Sequence, residues 1–212
     1  MKKSRIIYVY DALCGWCYGF SPVMEAFYER HREAFDFEVY SGGMVMGERI
    51  GPIGEVAGYI RQAYRVVEER TGVRFGQSFL EGVLEPGTVT FSSEPPALAM
   101  TAFRELRPDA VVPFSGDLLR AVYRDGIAPT DFDEYGKRAA NYGLDPEEFV
   151  ARMQEEETRL RTQADFQEVA RMGVSGFPTL IYDDGRMHRL SHGYMPLEQL
   201  EETLKKLTKT EH

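Results

Sequence analysis

Cysteine is nearly absent from this chain of 212 residues: there are two, Cys14 and Cys17. A disulfide closing so small a loop would stabilise the fold by only about 2 kcal/mol on loop-entropy grounds, so the pair has little use as a staple and reads as chemistry. Basic excess is lacking too. Lys and Arg number 25 against 34 Asp and Glu, a formal charge of −9, which argues against a nucleic-acid partner and against docking to an acidic membrane surface. No apolar stretch approaches the ~20 residues that span a bilayer. Internal repeats and low-complexity segments are missing. What remains, 43% hydrophobic and 28% charged residues, is the make-up of an ordinary globular protein, either one large domain or a domain carrying a substantial insertion.

The N-terminus has the beginnings of a leader, with Lys2, Lys3 and Arg5 around the start of Ile6-Ile7-Tyr8-Val9-Tyr10. The apolar run stops at Asp11, short of the roughly 7–15 residues a leader needs, and no small-residue cleavage site follows. It is read as the first strand of a cytoplasmic protein, the alternative being a leader exchanged for Met1.

The two cysteines fall where a strand pattern gives way to a helix pattern. Arg5 to Tyr10 is a β-branched and aromatic run that suits a buried strand. Phe20, Val23, Met24, Phe27 and His31 then recur at helical spacing. Cys14-Gly15-Trp16-Cys17 therefore opens a helix just past a strand. A free cysteine ionises near pH ~8.5 and reacts as the thiolate; the unpaired N–H groups and positive dipole end of a first helical turn favour that anion. Cys14, the outer residue, is the expected attacking thiol and Cys17, one turn in, the resolving one. Trp16, in the middle of the motif, is expected to be exposed.

Along the rest of the chain, Pro22 is expected to kink or restart the helix with Ser21 as cap, and the helix to run to about Ala34. Phe35 to Tyr40 alternates with period two and reads as a second strand, completing a βαβ unit. From about Gly47 to Met172 the pattern is helical, with Thr88-Val89-Thr90-Phe91 the one weak strand candidate. Val56, Tyr59, Ile60, Ala63 and Val67 share one face of a helix over 55–71 that Gly72 stops. Ser92 and Ser93 are expected to cap a helix over Pro95-Pro96 to Leu106, and Asp145-Pro146-Glu147-Glu148 carries the signature of another helix start. Period two returns in Thr179 to Tyr182, with a turn at Asp183-Asp184-Gly185 and a hairpin strand Met187 to Leu190. Pro196 opens a last helix with Leu197, Leu200, Leu204 and Leu207 inward. The order is βαβ, a helical block, then ββα.

That order, with C-x-x-C at the first helix and a Phe177-Pro178 step before the later strand, resembles the thioredoxin superfamily, and the inserted helical block resembles its DsbA branch. Asp11 to Cys17 is similar to the D-x-x-C-x-W-C of FrnE-like predicted disulfide isomerases, and Gly173 to Thr179 to their G-V-x-G-x-P loop. The resemblance implies an α/β thioredoxin fold (β-α-β … β-β-α) in two pieces, 1–46 and 173–212, interrupted by an all-α domain over 47–172. It implies a thiol–disulfide oxidoreductase or isomerase that works through a mixed disulfide at Cys14 and Cys17, with Gly15 and Trp16 shaping the helix start. Gly176, Phe177 and a cis Pro178 would face a peptide beside Cys14. Phe177 is either substrate-facing or packed, and Met44 and Met46 are either further apolar contacts or core. No cofactor is implied beyond the redox pair; protein or peptide thiols, glutathione or a thioredoxin-type donor are the expected partners, and the protein is a monomer or dimer.

The chain departs from its relatives in three ways, one being the bulky Phe177 where many of them have a smaller residue. Thioredoxin-type reductases carry a buried acid where this sequence has Tyr8, so proton transfer from Cys17 needs another group. Asp11 is the candidate, although a turn or cap role is the commoner one for such an aspartate. Gly-Trp stands where strongly oxidising relatives have Pro-His, which implies a more reducing couple. Other readings compete. Cys14, Cys17, His188 and His192 could superficially make a zinc set, but His188 falls in a predicted strand and no metal is expected. Kappa-class transferases and hydroxychromene-carboxylate isomerases share the layout but use serine at the position of Cys14. A non-enzymatic client-binding adaptor with a redox-sensing pair is the third alternative.

Overall fold

The computed structural model describes residues 3–209; Met1, Lys2 and residues 210–212 lie outside the described residues, and with them the first lysine of the charged lead-in. The first elements are β1 (Arg5–Tyr10), α1 (Gly15–His31) and β2 (Asp36–Ser41). Then follow β3 (Gly51–Pro52), α2 (Ala57–Thr71), the short α3 (Gln77–Phe79), β4 (Thr90–Phe91) and α4 (Glu94–Leu106). After them come α5 (Val111–Tyr123), α6 (Phe132–Ala140), α7 (Pro146–Met153) and α8 (Glu156–Arg171), and last β5 (Thr179–Asp183), β6 (Met187–His192) and α9 (Leu197–Lys209).

Four strands pair in the order β2-β1-β5-β6. β1 runs parallel to β2 and antiparallel to β5, which is antiparallel to β6. This is the expected thioredoxin fold. β1 lies in the interior of the sheet, which is why its run is apolar at every position from Ile6 to Tyr10 and all of it is buried. Ile7 and Val9 face Val169 of α8, whereas Ile6, Tyr8 and Tyr10 join the large core with α1 and α9. Arg5 clasps three strands at the sheet end: its guanidinium bonds Glu38 of β2 at 2.9 and 3.1 Å and reaches Asp183 of β5 through Nε at 3.1 Å and through Nη2.

Several local expectations change. Pro22 neither breaks nor restarts α1, which is one helix from Gly15 to His31 and ends three residues before Ala34. The carbonyl that Pro22 leaves without its N–H is that of Tyr18, and the Ser21 hydroxyl donates to it at 2.8 Å. Ser21 thus repairs the helix instead of capping a new one. Ser93 precedes α4 but makes no capping bond; its hydroxyl turns to Asp11. Asp145 does cap α7, accepting from Glu147 N and Glu148 N at 3.0 and 2.9 Å. The inserted block is not wholly helical, since β3 pairs antiparallel with β4. It also packs straight onto the sheet: residues of α4 and α5 share one core with β1 and α1. Gly19 lets α2 approach α1, for a Cβ there would lie 2.8 Å from the methyls of Val67 and Thr71. Among the described residues no helix is long and apolar enough to cross a membrane.

Candidate active site

The site begins where β1 stops. Asp11 Oδ1 accepts from Leu13 N at 2.9 Å and its carbonyl accepts from Cys14 N at 3.0 Å, a turn that delivers the chain from strand to helix. Cys14 occupies the N-cap of α1 in extended backbone, and its Sγ accepts from Cys17 N at 3.3 Å. The sulfur therefore takes the place of the oxygen that a serine or aspartate cap would supply, at the end of the helix where N–H groups are unpaired. Gly15 and Trp16 fill the first turn.

Cys14 and Cys17 are both free thiols. Their surroundings differ. Cys17 is fully buried, and that burial, followed by the bond to Cys14, pushes its thiol well above the ordinary value. Cys14 is 6% exposed and opens on a groove. The order expected from the motif, outer thiol and inner thiol, is the order in space.

The Phe177–Pro178 bond is cis. Cys14 Sγ donates to Phe177 O at 3.6 Å, so the main chain ahead of the proline lies beside the outer sulfur although 163 residues separate them. Pro178 is buried, and its carbonyl accepts from Gly193 N at 2.7 Å. Gly176 O accepts from Thr179 Oγ1 at 2.8 Å. The Phe177 ring is half-buried, packed on Gly42 and against the cluster of Ile7, Val9, Val169 and Ile181.

Asp11 is 1% exposed and ties three segments together, accepting from Leu13 N, from Met44 N at 2.7 Å and from Ser93 Oγ at 2.9 Å. Burial pushes its carboxyl up and those donors pull it back; burial prevails. Tyr8, where thioredoxin-type relatives carry an acid, is fully buried, and its hydroxyl has no hydrogen-bond partner among the described residues. Burial and then the charge of a nearby Cys17 thiolate push that phenol well above its ordinary value.

The groove outside Cys14 measures about 550 Å³. It is lined by Leu13, Cys14 and Trp16, by Tyr59, Ile60, Ala63 and Tyr64 of α2, and by Met44, Arg49 and Ile53. The stripe shared by Val56, Tyr59, Ile60, Ala63 and Val67 looks onto this groove: Val56 and Tyr59 are 52% and 72% exposed, and only Ala57 and Val67 of the helix are buried. One expectation changes. Trp16 is half-buried, not exposed, because α2 stands over it. Met44 lines the groove, while Met46 lies outside it. The residues missed in the sequence are Phe75 and Tyr123. With Tyr18 and Phe79 they form an aromatic knot, ring centroids 5.1–5.9 Å apart, behind the groove. They lie in a loop and at a helix end, where no periodicity marks them. The zinc set is dispersed. His188 pairs with Asp184 at 3.3 Å and stacks on Tyr182, whereas His192 lies at the other end of the hairpin, 3.3 Å from Thr179 Oγ1. Among the described residues no group of three His, Cys, Asp or Glu side chains is placed to hold a metal ion.

Known proteins supply the context. The profile of the DSBA-like thioredoxin domain family matches residues 5–205. A provisionally assigned protein disulfide isomerase from Nitrosomonas europaea is 27% identical and superposes with a TM-score of 0.88 over 100% of both chains. The cytosolic disulfide reductase DsbM from Pseudomonas aeruginosa is 26% identical, with a TM-score of 0.80 over 97% of this chain and 99% of that one, and its structure with GSH gives 0.78. A 2-hydroxychromene-2-carboxylate isomerase, 13% identical with a TM-score of 0.68, shares the fold. No curated protein matches the sequence.

Proposed function

Because the chain belongs to the DSBA-like thioredoxin domain family, we propose that it is a thiol–disulfide oxidoreductase whose working pair is Cys14 and Cys17. One observation carries this reading. The Cys14 sulfur caps α1 at 3.3 Å from Cys17 N and faces the carbonyl ahead of a cis proline. Such an arrangement favours attack at the outer sulfur and resolution by the inner one.

In the reducing direction, the Cys14 thiolate attacks one sulfur of a client disulfide. A Cys14–client bond forms, the client disulfide breaks, and the departing client sulfur takes a proton. Cys17 then gives up its proton and attacks Cys14 Sγ; the Cys14–Cys17 disulfide forms, the mixed disulfide breaks, and the second client thiol leaves. Two electrons have passed to the client, and an external dithiol or two glutathione molecules return them. Run in reverse the same steps oxidise, and return of the client thiol to the mixed disulfide isomerises. Asp11 is the buried acid proposed to take the Cys17 proton, standing in the turn that leads from β1 to the cysteines. Phe177, Pro178 and Gly176 are proposed to meet the client chain on one side and the groove under α2 on the other. The GSH-bound structure of the DsbM neighbour supports glutathione as a partner, and the cytosolic description of that neighbour supports a cytoplasmic site of action. The finer likeness to FrnE-like isomerases belongs to the same proposal.

The chromene-carboxylate isomerase fold keeps a glutathione-dependent isomerase as the second reading, against which stands the retained cysteine pair. Reduction of insulin in the presence of dithiothreitol decides. The protein is expected to speed precipitation of the insulin B chain, and Cys14→Ser to remove the effect. Equal rates with and without Cys14 would reject the oxidoreductase and leave the isomerase or the adaptor.

A further inference from the structure

Two glycines follow β2, and they are glycine for different reasons. Gly43 has φ of +67°, a conformation that L side chains rarely adopt, so its backbone demands glycine. Gly42 has no positive φ, and its amide donates to Tyr10 O at 2.7 Å, continuing the β1–β2 ladder by one residue. Nothing in its backbone requires glycine. What requires it is the Phe177 ring. A Cβ on Gly42 would lie 2.0, 2.1 and 2.8 Å from three ring carbons, far inside van der Waals contact. Phe177 precedes β5, and β1 stands between β5 and β2 in the sheet. The ring therefore reaches across the C-terminal end of β1 to rest on a bare Cα two strands away.

The same residue offers its carbonyl to the outer sulfur. Cys14 Sγ donates to Phe177 O at 3.6 Å and accepts from Cys17 N at 3.3 Å. These two bonds oppose each other chemically, since the carbonyl favours a sulfur that keeps its proton and the amide favours one that has lost it. Anything that fixes the Phe177 carbonyl therefore bears on how readily Cys14 reacts.

We infer that Gly42 is a positioning residue of the redox site: its missing side chain is the seat of the Phe177 ring, and through that ring it holds the Phe177 carbonyl against the Cys14 sulfur. Gly42 does not touch the reacting atoms. Resting on the reading of Cys14 as the attacking thiol, the inference names what sets the reactivity of that thiol from the far edge of the site.

The test is a double-mutant cycle with Gly42→Ala, Phe177→Ala and the two combined, on the full chain in its reduced form. Two quantities are read: the alkylation rate of Cys14 by iodoacetamide at pH 7, followed by intact mass, and the melting temperature. Alkylation needs no disulfide client, so it reports on the seat separately from the insulin assay. Gly42→Ala is expected to lower the melting temperature and to alkylate roughly three- to tenfold faster, the factor that losing one weak hydrogen bond to the protonated sulfur would give. Phe177→Ala removes the ring that holds the carbonyl and is expected to alkylate faster as well. Once the ring is gone, Ala at 42 has nothing to displace, so the double variant should match Phe177→Ala in both quantities. Additive effects, a Gly42→Ala rate equal to or below that of the unmodified protein, or a double variant less stable than Phe177→Ala would overturn the inference. If Gly42→Ala alone does not fold, the double variant against Phe177→Ala still decides. Failure of the insulin assay with this pattern intact would reject the proposed activity and leave the seat standing.

Discussion

Cys17 and Tyr8 make a buried pair of weak acids at the bottom of the site, and each pays differently for being there. Burial keeps Cys17 protonated well above the ordinary thiol range, as the proposed order of events asks of a resolving thiol. Tyr8 is fully buried with a hydroxyl that no described residue satisfies, which costs about 1–3 kcal/mol. Tyr8→Phe keeps the ring packed on Phe20, 6.1 Å between centroids, and removes the orphan. It is expected to raise the melting temperature by roughly 2–4 °C for each 1 kcal/mol recovered, as calorimetry would show; a lower melting temperature would mean that the hydroxyl is satisfied in solution. At this scale the sequence pointed to the atoms proposed to react but not to what holds them. Cys14 and Cys17 are legible because their spacing on a first helical turn has a direct chemical meaning. Asp11 was legible as a turn residue, which it is, and as a candidate for proton transfer; its bonds to Met44 and Ser93 join positions 33 and 82 residues away and leave no local pattern. Gly42 under Phe177 is hidden for the same reason.

Elements were read well where one periodicity governs them, and poorly where a tertiary contact overrides it. β1, α1, the hairpin of β5 and β6, and α9 stand close to where alternation and helical spacing put them. Pro22 misled because its defect is mended by the neighbouring Ser21 hydroxyl, a repair that helix rules do not anticipate. The period of the apolar stripe on α2 was right, and the face it defines looks onto the groove. At the sheet end, Arg5 holds the Asp183 carboxyl below the usual carboxylate range, the hydrogen bond to its guanidinium being the leading cause. A lowered folded value means that the stabilisation is fully present above the ordinary carboxylate value near ~3.9 and is lost as pH falls through the folded one. Asp183→Asn is expected to cost about 1 kcal/mol at pH 7, the scale of a partly exposed ion pair. In parallel melts, the gap to the unmodified protein should hold down to about pH 4 and close below it. A gap that widens on acidification would show that the clasp between β1 and β5 does not act through this charge.

The whole molecule is a thioredoxin fold whose inserted helices do not sit apart as a second body. They share a core with β1 and α1 and line the groove beside the outer thiol with α2, so the surface around Cys14 is made by both halves of the chain. The order of elements, with C-x-x-C at the first helix and Phe177-Pro178 before the later strand, was enough to resemble the thioredoxin superfamily, and that resemblance implied the fold. How the insertion roofs the site was not legible, since it depends on Phe75, Tyr123 and the packing of Gly19 beneath α2. The central claim is an order of events: the outer sulfur bonds the client and the inner one releases it. Cys17→Ser and Cys14→Ser, each incubated with a peptide disulfide and examined by non-reducing intact mass, test it most directly. The account predicts a one-to-one peptide adduct that accumulates on Cys14 in Cys17→Ser, and no adduct in Cys14→Ser, where the remaining thiol is buried. An adduct on Cys17 in the second variant, or none in the first, would contradict it.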